Sequence, residues 1–276
     1  MFCPSNTFTI RRAAGFGHDK MREPTPDRFA HWKRFLQARL SPEGYLGLHL
    51  TTGLLVILAA GWWFADVAED MSGNAATRLF DEGVASWFHV HATPALTQVM
   101  RVVTFFGSVG FVAVAASCIA IFLIVRKRWY QVLLLTLAVG GGSLLNILLK
   151  HFFHRQRPVL ENPLLTLTSY GFPSGHTMGS TLFYGVLAIF VAHSVRNWRW
   201  RVLAFGIATL PVALIGLSRI YLGAHYLTDV VGAIAVGLAW LAFCWTGVET
   251  LRKWRGRPLK PVATMRAVDC CSADRP

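Results

Sequence analysis

The chain contains six long apolar runs, and they restrict its fold more than any other feature. The runs cover about residues 44–65, 107–125, 131–149, 175–192, 202–217 and 227–246. Several approach the roughly 20 residues that an α-helix needs to cross a bilayer. They are continuous and not alternating, which argues against the strands of a β-barrel. The sequence therefore predicts an all-α, polytopic membrane protein with about six transmembrane helices.

Basic residues give the chain a net charge of +13, and their positions indicate why. They concentrate before the first run, after the last run, and in two short breaks at 126–128 and 196–201. Basic clusters at alternate ends of apolar spans mark the cytoplasmic side of a membrane protein. We therefore expect both termini in the cytoplasm and no nucleic-acid partner. The basic N-terminal tail could also bind anionic membrane lipids.

This topology predicts three parts of the chain. Residues 1–43 form a basic cytoplasmic tail with a short surface helix over Asp27–Leu40, residues 44–248 form the six-helix membrane domain, and residues 249–276 form a second basic tail. Within the domain, the acidic stretch Asp66–Pro94 is predicted to be a polar connection outside the cytoplasm. Ala95–Phe106 is predicted to be an amphipathic helix. No apolar signal-peptide core precedes the first run.

A histidine and an aspartate four residues apart stand in an otherwise apolar setting near the sixth run. On a helix, His225 and Asp229 would share one face, so that the carboxylate can hold the imidazole. A carboxylate in this position fixes the tautomer of a histidine and stabilises its cation. Arg219, six residues earlier, is close enough in sequence to hold an anion in front of the pair. A satisfied structural pair is the alternative.

Two further polar segments fall on the same predicted membrane face. One holds Lys150 and Arg157, a point charge and a planar fork that both suit phosphate oxygens. In the other, Ser174 is a predicted N-cap, Gly175 allows close approach of the backbone, and His176 follows. Each segment alone could be a basic helix end or an ordinary cap. Cations on the face opposite the other basic clusters nevertheless need a reason, and an anionic substrate supplies one.

Together the three segments resemble the type 2 phosphatidic acid phosphatase (PAP2) superfamily, which includes vanadium haloperoxidases. The motifs are Lys-x6-Arg-Pro, Pro-Ser-Gly-His and Ser-Arg-x5-His-x3-Asp, at 150–158, 173–176 and 218–229. The resemblance covers about residues 95–245 and implies a PAP2/haloperoxidase-like helical core. His151, His154 and Arg155 lie inside the first motif but match none of its fixed positions. For these three, a polar outer surface is the preferred interpretation, and the alternative is that they line the site or tune substrate choice.

The resemblance also implies a mechanism. His225 would attack phosphorus and form a phosphohistidine, with Asp229 holding its other nitrogen. His176 would protonate the leaving oxygen and later activate water. The non-bridging oxygens would be bound by Lys150, Arg157, Ser174, Gly175 and Arg219. The five scattered cysteines suggest neither a disulfide framework nor a zinc site, and no carboxylate cluster accompanies the motifs. We therefore expect no cofactor and no metal ion.

The predicted function is that of a membrane lipid phosphatase with its site on the periplasmic or extracellular face of a bacterial inner membrane. Its substrate would be a lipid phosphate or pyrophosphate, such as undecaprenyl pyrophosphate, phosphatidic acid or phosphatidylglycerol phosphate. Two alternatives remain open: a lipid phosphotransferase with the same residues, and a non-catalytic protein that binds or transports lipid phosphates. A haloperoxidase is disfavoured, because its known relatives are soluble.

Overall fold

The computed structural model describes residues 48–159 and 169–256, and within these ranges every regular element is helical. The α-helices are α1 (Leu48–Gly73), α2 (Ala75–Val90), α3 (Pro94–Phe105), α4 (Val109–Val125), α5 (Trp129–Leu135), α6 (Gly142–Phe153), α7 (Gly175–Ser194), α8 (Trp198–Tyr221) and α9 (Leu227–Arg255). A π-helical turn, Thr136–Gly141, joins α5 to α6.

Six helical stretches among the described residues are long and apolar enough to cross a membrane. They are α1, α3 with α4, α5 through α6, α7, α8 and α9. The predicted all-α membrane fold with about six spans is thereby confirmed. The helix predicted over Asp27–Leu40 lies outside the described residues. The last helix continues past the predicted boundary at residue 248, and its final turn carries Arg252, Lys253 and Arg255, cations that suit a helix C-terminus.

The stretch predicted as a polar connection, Asp66–Pro94, is largely helical. Helix α1 continues to Gly73, and the side chain of Asn74 then accepts a hydrogen bond from the backbone nitrogen of Ala76 at 3.0 Å, starting α2. Helix α2 is amphipathic and buries Asp81 together with Ala85. The prediction was wrong here because a carboxylate on the packed face looks like a solvent-exposed residue in the sequence. The predicted amphipathic helix over 95–106 is present as α3, capped by Thr93.

The core forms where α9 packs along α1 and α7, and where α7 packs along α8. Its central side chains include Leu135, Met178, Leu182 and Val186, each at most 2% exposed. Of the three glycines at the start of α6, Gly141 and Gly142 serve close helix packing, as the sequence indicated, whereas Gly140 has nothing within 4 Å of its Cβ position. A methyl group on Gly142 would lie 2.1 Å from Cδ1 of Leu182, so only glycine lets α6 approach α7 so closely.

The three sequence motifs meet at one end of this bundle, which we call the motif end. Helices α6 and α8 end there, while α7 and α9 begin there. The loop before α7 is supported by Phe172, which is fully buried and packs against the rings of Phe64 and Phe153 at centroid distances of 5.6 and 4.9 Å. The packing thus holds the polar loop against the ends of the spanning helices.

Candidate active site

The histidine–aspartate pair lies at the start of α9 and is almost completely buried. His225 is 1% exposed and Asp229 is 0% exposed. The Nδ1 atom of His225 is 3.4 Å from Oδ2 of Asp229, which also accepts a hydrogen bond from the backbone nitrogen of Tyr226 at 2.9 Å. The expected pairing is present, although His225 precedes the first helical residue, Leu227. The histidine is therefore held by the capping turn and not by the helix itself.

Arg157 determines the tautomer of His225. Its Nη1 atom lies 3.1 Å from Nε2 of the imidazole, and a guanidinium can only donate hydrogen bonds. Nε2 must therefore be the acceptor, and Nδ1 carries the proton that faces Asp229. Burial lowers the pKa of His225 to about 4, although the hydrogen bond to Asp229 opposes this shift. At neutral pH the imidazole is uncharged, with the lone pair of Nε2 facing a cation.

The loop that precedes Pro173 holds both cations of the first motif. Arg157 donates from Nε to the carbonyl oxygen of Ser169 at 2.6 Å and from Nη2 to its hydroxyl at 2.9 Å. Its Nη1 donates to the carbonyl oxygen of Ala224 at 2.5 Å. Lys150 donates to the carbonyl oxygen of Tyr170 at 2.9 Å. Burial lowers the pKa of Arg157, yet a guanidinium stays protonated in proteins.

Arg219 brings a third cation to the motif end from the last turn of α8. It is only 2% exposed, and its Nη1 donates to the hydroxyl of Thr104 at 3.2 Å. Its buried Nε has no hydrogen-bond partner among the described residues. The carbonyl oxygen of Arg219 accepts from the backbone nitrogen of His225 at 3.3 Å. One residue thus supplies a buried charge and also supports the turn that holds His225.

The Pro-Ser-Gly-His segment begins α7 beside the pair. Ser174 occupies the N-cap position, but its hydroxyl accepts a hydrogen bond from Thr177 at 3.0 Å and makes no capping bond. Ser174 is thus the N-cap residue that the sequence predicted, although its side chain makes no capping bond. The backbone nitrogen of Ser174 donates to the carbonyl oxygen of Asp229 at 3.1 Å. A methyl group on Gly175 would lie 3.1 Å from Oδ1 of Asn146, so a larger residue here would require the Asn146 side chain to shift.

His176 lies in the first turn of α7. The positive charges of Arg219, Lys150 and Arg157 are close enough to its ring to interact with it electrostatically. His225 is also a neighbour of this ring. The structure thus brings together all eight residues that the sequence predicted for the site.

A group of residues that the sequence analysis did not assign to the site lies behind Asp229. Arg155, predicted as outer surface, instead donates from Nη1 to Oδ1 of Asp229 at 2.5 Å and from Nη2 to Oδ2 of Asp81 at 2.7 Å. Asp81 is 0% exposed and also accepts hydrogen bonds from the backbone nitrogen and the hydroxyl of Thr228. His151 and His154 do stay on the surface, where they pack around Tyr170.

A second unpredicted group contacts the segment that starts α7. Asn146 on α6 donates to the carbonyl oxygen of Pro173 at 3.3 Å.

The sequence analysis also missed Ser169 and Tyr170, which accept the hydrogen bonds that position Arg157 and Lys150. Within the described ranges, no group of three or more histidine, cysteine, aspartate or glutamate side chains could hold a metal ion.

A spanning helical bundle with three cations and a buried histidine–carboxylate pair at one end is a membrane protein with a candidate site for an anion. The comparison with known proteins agrees with this class. Residues 131–253 match the model of the PAP2 superfamily. The chain is 33% identical to phosphatidylglycerophosphatase B of Bacillus subtilis over 164 residues, which cover 59% of this chain and 80% of the relative. The chain belongs to the PAP2 superfamily.

Two further similarities support the same assignment. The chain is 30% identical over 155 residues to undecaprenyl-diphosphatase BcrC of Bacillus subtilis, covering 54% of this chain and 72% of the relative. The crystal structure of a transmembrane PAP2 type phosphatidylglycerolphosphate phosphatase from Bacillus subtilis superposes with a TM-score of 0.64 at 30% identity. The superposed region covers 70% of this chain and 96% of the chain in that crystal structure. The predictions of family, membrane fold and lipid phosphatase class are confirmed.

Proposed function

We propose that the protein removes the terminal phosphate of a lipid phosphomonoester or pyrophosphate through a phosphohistidine on His225. The observation that carries this proposal is the orientation of the imidazole. Nδ1–H faces Asp229, while the lone pair of Nε2 accepts a hydrogen bond from Arg157 that would pass to the phosphate when the substrate binds. A neutral nucleophile next to a cation is suited to attack an anionic phosphorus centre.

In the proposed reaction, a bond forms between Nε2 of His225 and phosphorus while the bond from phosphorus to the lipid oxygen breaks. His176 gives its proton to that lipid oxygen. Water then attacks the phosphohistidine and loses a proton to His176, and inorganic phosphate leaves. Asp229 accepts the hydrogen bond from Nδ1 throughout and stabilises the imidazolium character that develops on His225.

Three cations would bind the non-bridging phosphate oxygens, namely Lys150, Arg157 and Arg219. The unpaired buried Nε of Arg219 supports this role, because a buried donor of this kind gains most from an anionic partner. Ser174 and the backbone nitrogen of Gly175 at the start of α7 would add donors to the same oxygens. These groups supply the charge that Mg²⁺ often supplies in phosphoryl transfer, so we propose that the reaction needs no metal.

The substrate class follows from the position of the site at the ends of spanning helices, where a lipid headgroup meets water. Relatives named for phosphatidylglycerophosphate and for undecaprenyl diphosphate support this class. We further propose a bacterial inner membrane location, with the motif end on the periplasmic face and both termini in the cytoplasm. The basic clusters at the other end of the bundle favour this orientation.

The proposal is tested by phosphate release from detergent-purified protein in excess EDTA. Undecaprenyl pyrophosphate, phosphatidic acid and phosphatidylglycerol phosphate are compared, with His225→Ala alongside. We expect chelator-resistant release that falls at least about a thousandfold in the variant, the order seen when a nucleophile is removed. A base-stable phosphoenzyme should form in the wild type and be absent from His225→Ala.

Three results would contradict this function. Release that survives His225→Ala would exclude the phosphohistidine, and release that EDTA abolishes would exclude metal independence. No release from any of the three lipids by folded protein would leave a phosphotransferase or a binding protein. Those two differ in whether a phosphoenzyme forms.

A further inference from the structure

We propose that Arg155 and Asp81 are positioning residues that orient Asp229, and through it His225, for attack on the phosphate. This inference rests on the proposed function, in which His225 is the nucleophile. It extends the site to α2, a helix that precedes the region matched by the family model.

The two oxygens of Asp229 have separate partners. Oδ1 accepts from Arg155 at 2.5 Å, whereas Oδ2 accepts from the backbone of Tyr226 and faces Nδ1 of His225. With its side chain fully buried, Asp229 has no water to replace a lost partner. Arg155 therefore fixes the rotation of the carboxylate, and that rotation decides where the acceptor for Nδ1–H lies.

Arg155 and Arg157 act on opposite sides of the same pair. The chain is non-helical from His154 to Val159, and side chains two residues apart in such a segment can reach neighbouring partners. Arg157 contacts His225 at Nε2, and Arg155 contacts Asp229 at Oδ1. A single segment of the first motif thus clamps both ends of the histidine–aspartate pair.

Asp81 holds Arg155 in place and also contacts the start of α9. It accepts from Nη2 of Arg155 at 2.7 Å and from the backbone nitrogen of Thr228 at 3.2 Å. The Arg155 guanidinium also donates to the Thr228 hydroxyl at 2.6 Å and lies 4.7 Å from the centre of the Tyr226 ring. Apart from the ion pair itself, these contacts reach Tyr226 and Thr228, which follow His225 directly at the start of α9.

Charge balance gives the group a second effect on the nucleophile. Two buried carboxylates, Asp81 and Asp229, share one guanidinium, so the group behind His225 is net negative. That charge favours the imidazolium character that grows on His225 as the bond to phosphorus forms. Loss of Arg155 would leave two like charges buried together. Loss of Asp81 would leave Asp229 as the only remaining carboxylate of the pair that binds Arg155.

The test compares Asp81→Asn with Glu82→Gln, its neighbour on α2. Glu82 is exposed and pairs only loosely with Arg78 at 3.7 Å, so it controls for removal of one carboxylate from this helix. The probes are phosphatidylglycerol phosphate and undecaprenyl pyrophosphate in detergent micelles. We expect kcat to fall about tenfold in Asp81→Asn and about a hundredfold in Arg155→Gln, with KM nearly unchanged, since misplaced catalytic groups cost rates of this order. Glu82→Gln should match the wild type.

A pH profile separates positioning from a general loss of stability. The charged groups facing His225 are Asp229 on α9, Arg157 after α6 and Arg219 on α8, with His176 nearby on α7. Removing the positive Arg155 should move the acid limb of kcat/KM to higher pH, and removing the negative Asp81 should move it to lower pH. The double variant Asp81→Asn with Arg155→Gln should return the limb close to that of the wild type while kcat stays low.

Equal activity loss at every pH, with the limb unmoved in both variants, would overturn the positioning role. So would an unchanged kcat in Asp81→Asn when His225→Ala is inactive. If instead His225→Ala keeps its activity, the proposed function fails whatever Asp81 does. Should Arg155→Gln not fold, as judged by gel filtration, Asp81→Asn and Thr228→Val still report on the same contacts, and Arg155→Lys should restore part of kcat.

Discussion

At the scale of single residues, His225 is held from both sides by groups that only donate or only accept. Arg157 donates towards Nε2, and ionised Asp229 accepts from Nδ1. The imidazole therefore stays in one tautomer without help from a substrate. Because burial also keeps it uncharged, the proposed nucleophile already has the required tautomer and charge before a phosphate arrives, and only the hydrogen bond from Arg157 to Nε2 must be released.

A pH prediction follows from the low pKa of His225. Only the neutral imidazole can attack, and burial lowers its pKa to about 4, so activity should persist well below the ordinary histidine value of about 6.5. The acid limb of kcat/KM, which reports free-enzyme groups, should lie near pH 4. Two lipids whose phosphates ionise differently would identify the limb that belongs to the enzyme. A shared limb near 6.5 would contradict the prediction.

The residues that carry the motifs were predictable from sequence, because each stands in a short pattern of fixed spacing. Arg155 and Asp81 were not, although both are buried against the same pair. They are 74 residues apart, and Asp81 is 147 residues from Thr228. No local pattern connects positions so distant, and an aspartate in an acidic stretch looks like a solvated residue.

At the scale of helices, the loop that carries Ser174 depends on how closely α9 approaches it. A methyl group on Gly232 would lie 2.6 Å from the ring of Phe172, which is fully buried and stacked on Phe64. The ring cannot move without shifting Pro173 and the start of α7. Packing behind the candidate site thus influences where the backbone proposed to bind phosphate lies.

Gly232→Ala should therefore reduce both thermal stability and phosphate release. Overpacking a filled core costs about 1–3 kcal/mol. Gly247→Ala on the same helix is the matched control, because nothing lies within 4 Å of its new methyl group. It should be neutral or slightly stabilising, since alanine is a better helix former by about 1 kcal/mol. Equal melting temperatures in detergent for the two variants would contradict this account.

The spanning helices were predictable because apolar length is a local property of the chain. The helical character of 66–94 was missed for the opposite reason, since its helices are stabilised by tertiary contacts. Asp81 reaches Arg155 and Thr228, and Tyr221 on α8 hydrogen-bonds Thr93 and Thr97 around the start of α3. Such contacts turn a polar stretch into a packed part of the motif end.

At the scale of the whole molecule, the two ends of the bundle carry two different kinds of cation. The exposed basic turns between α4 and α5 and between α7 and α8 lie at one end. The three cations of the candidate site lie at the other, where Arg219 is buried and Lys150 and Arg157 are partly buried. In the proposed orientation, the exposed cations follow the positive-inside rule for membrane proteins, whereas the cations at the motif end lie against that rule, as their proposed role in phosphate binding requires.

The proposed orientation is checked by single cysteines in a chain whose five native cysteines are replaced. Glu82→Cys reports on the motif end and Lys127→Cys on the opposite end, and both positions are exposed. A membrane-impermeant thiol reagent added to intact cells should label Glu82→Cys only. Lys127→Cys should react after permeabilisation. Labelling of the two positions in the reverse order would place the motif end in the cytoplasm.

Asp229 caps the start of α9 through Tyr226 and also receives the proton-bearing nitrogen of His225. Natural selection therefore cannot adjust the stability of this helix end and the reactivity of the nucleophile separately. Replacing Asp229 with a stronger helix former is expected to reduce turnover. Replacing it to change the reactivity of His225 is expected to destabilise the start of α9. Altered versions of the enzyme must be sought in the groups around this residue, where the two properties are no longer carried by one side chain.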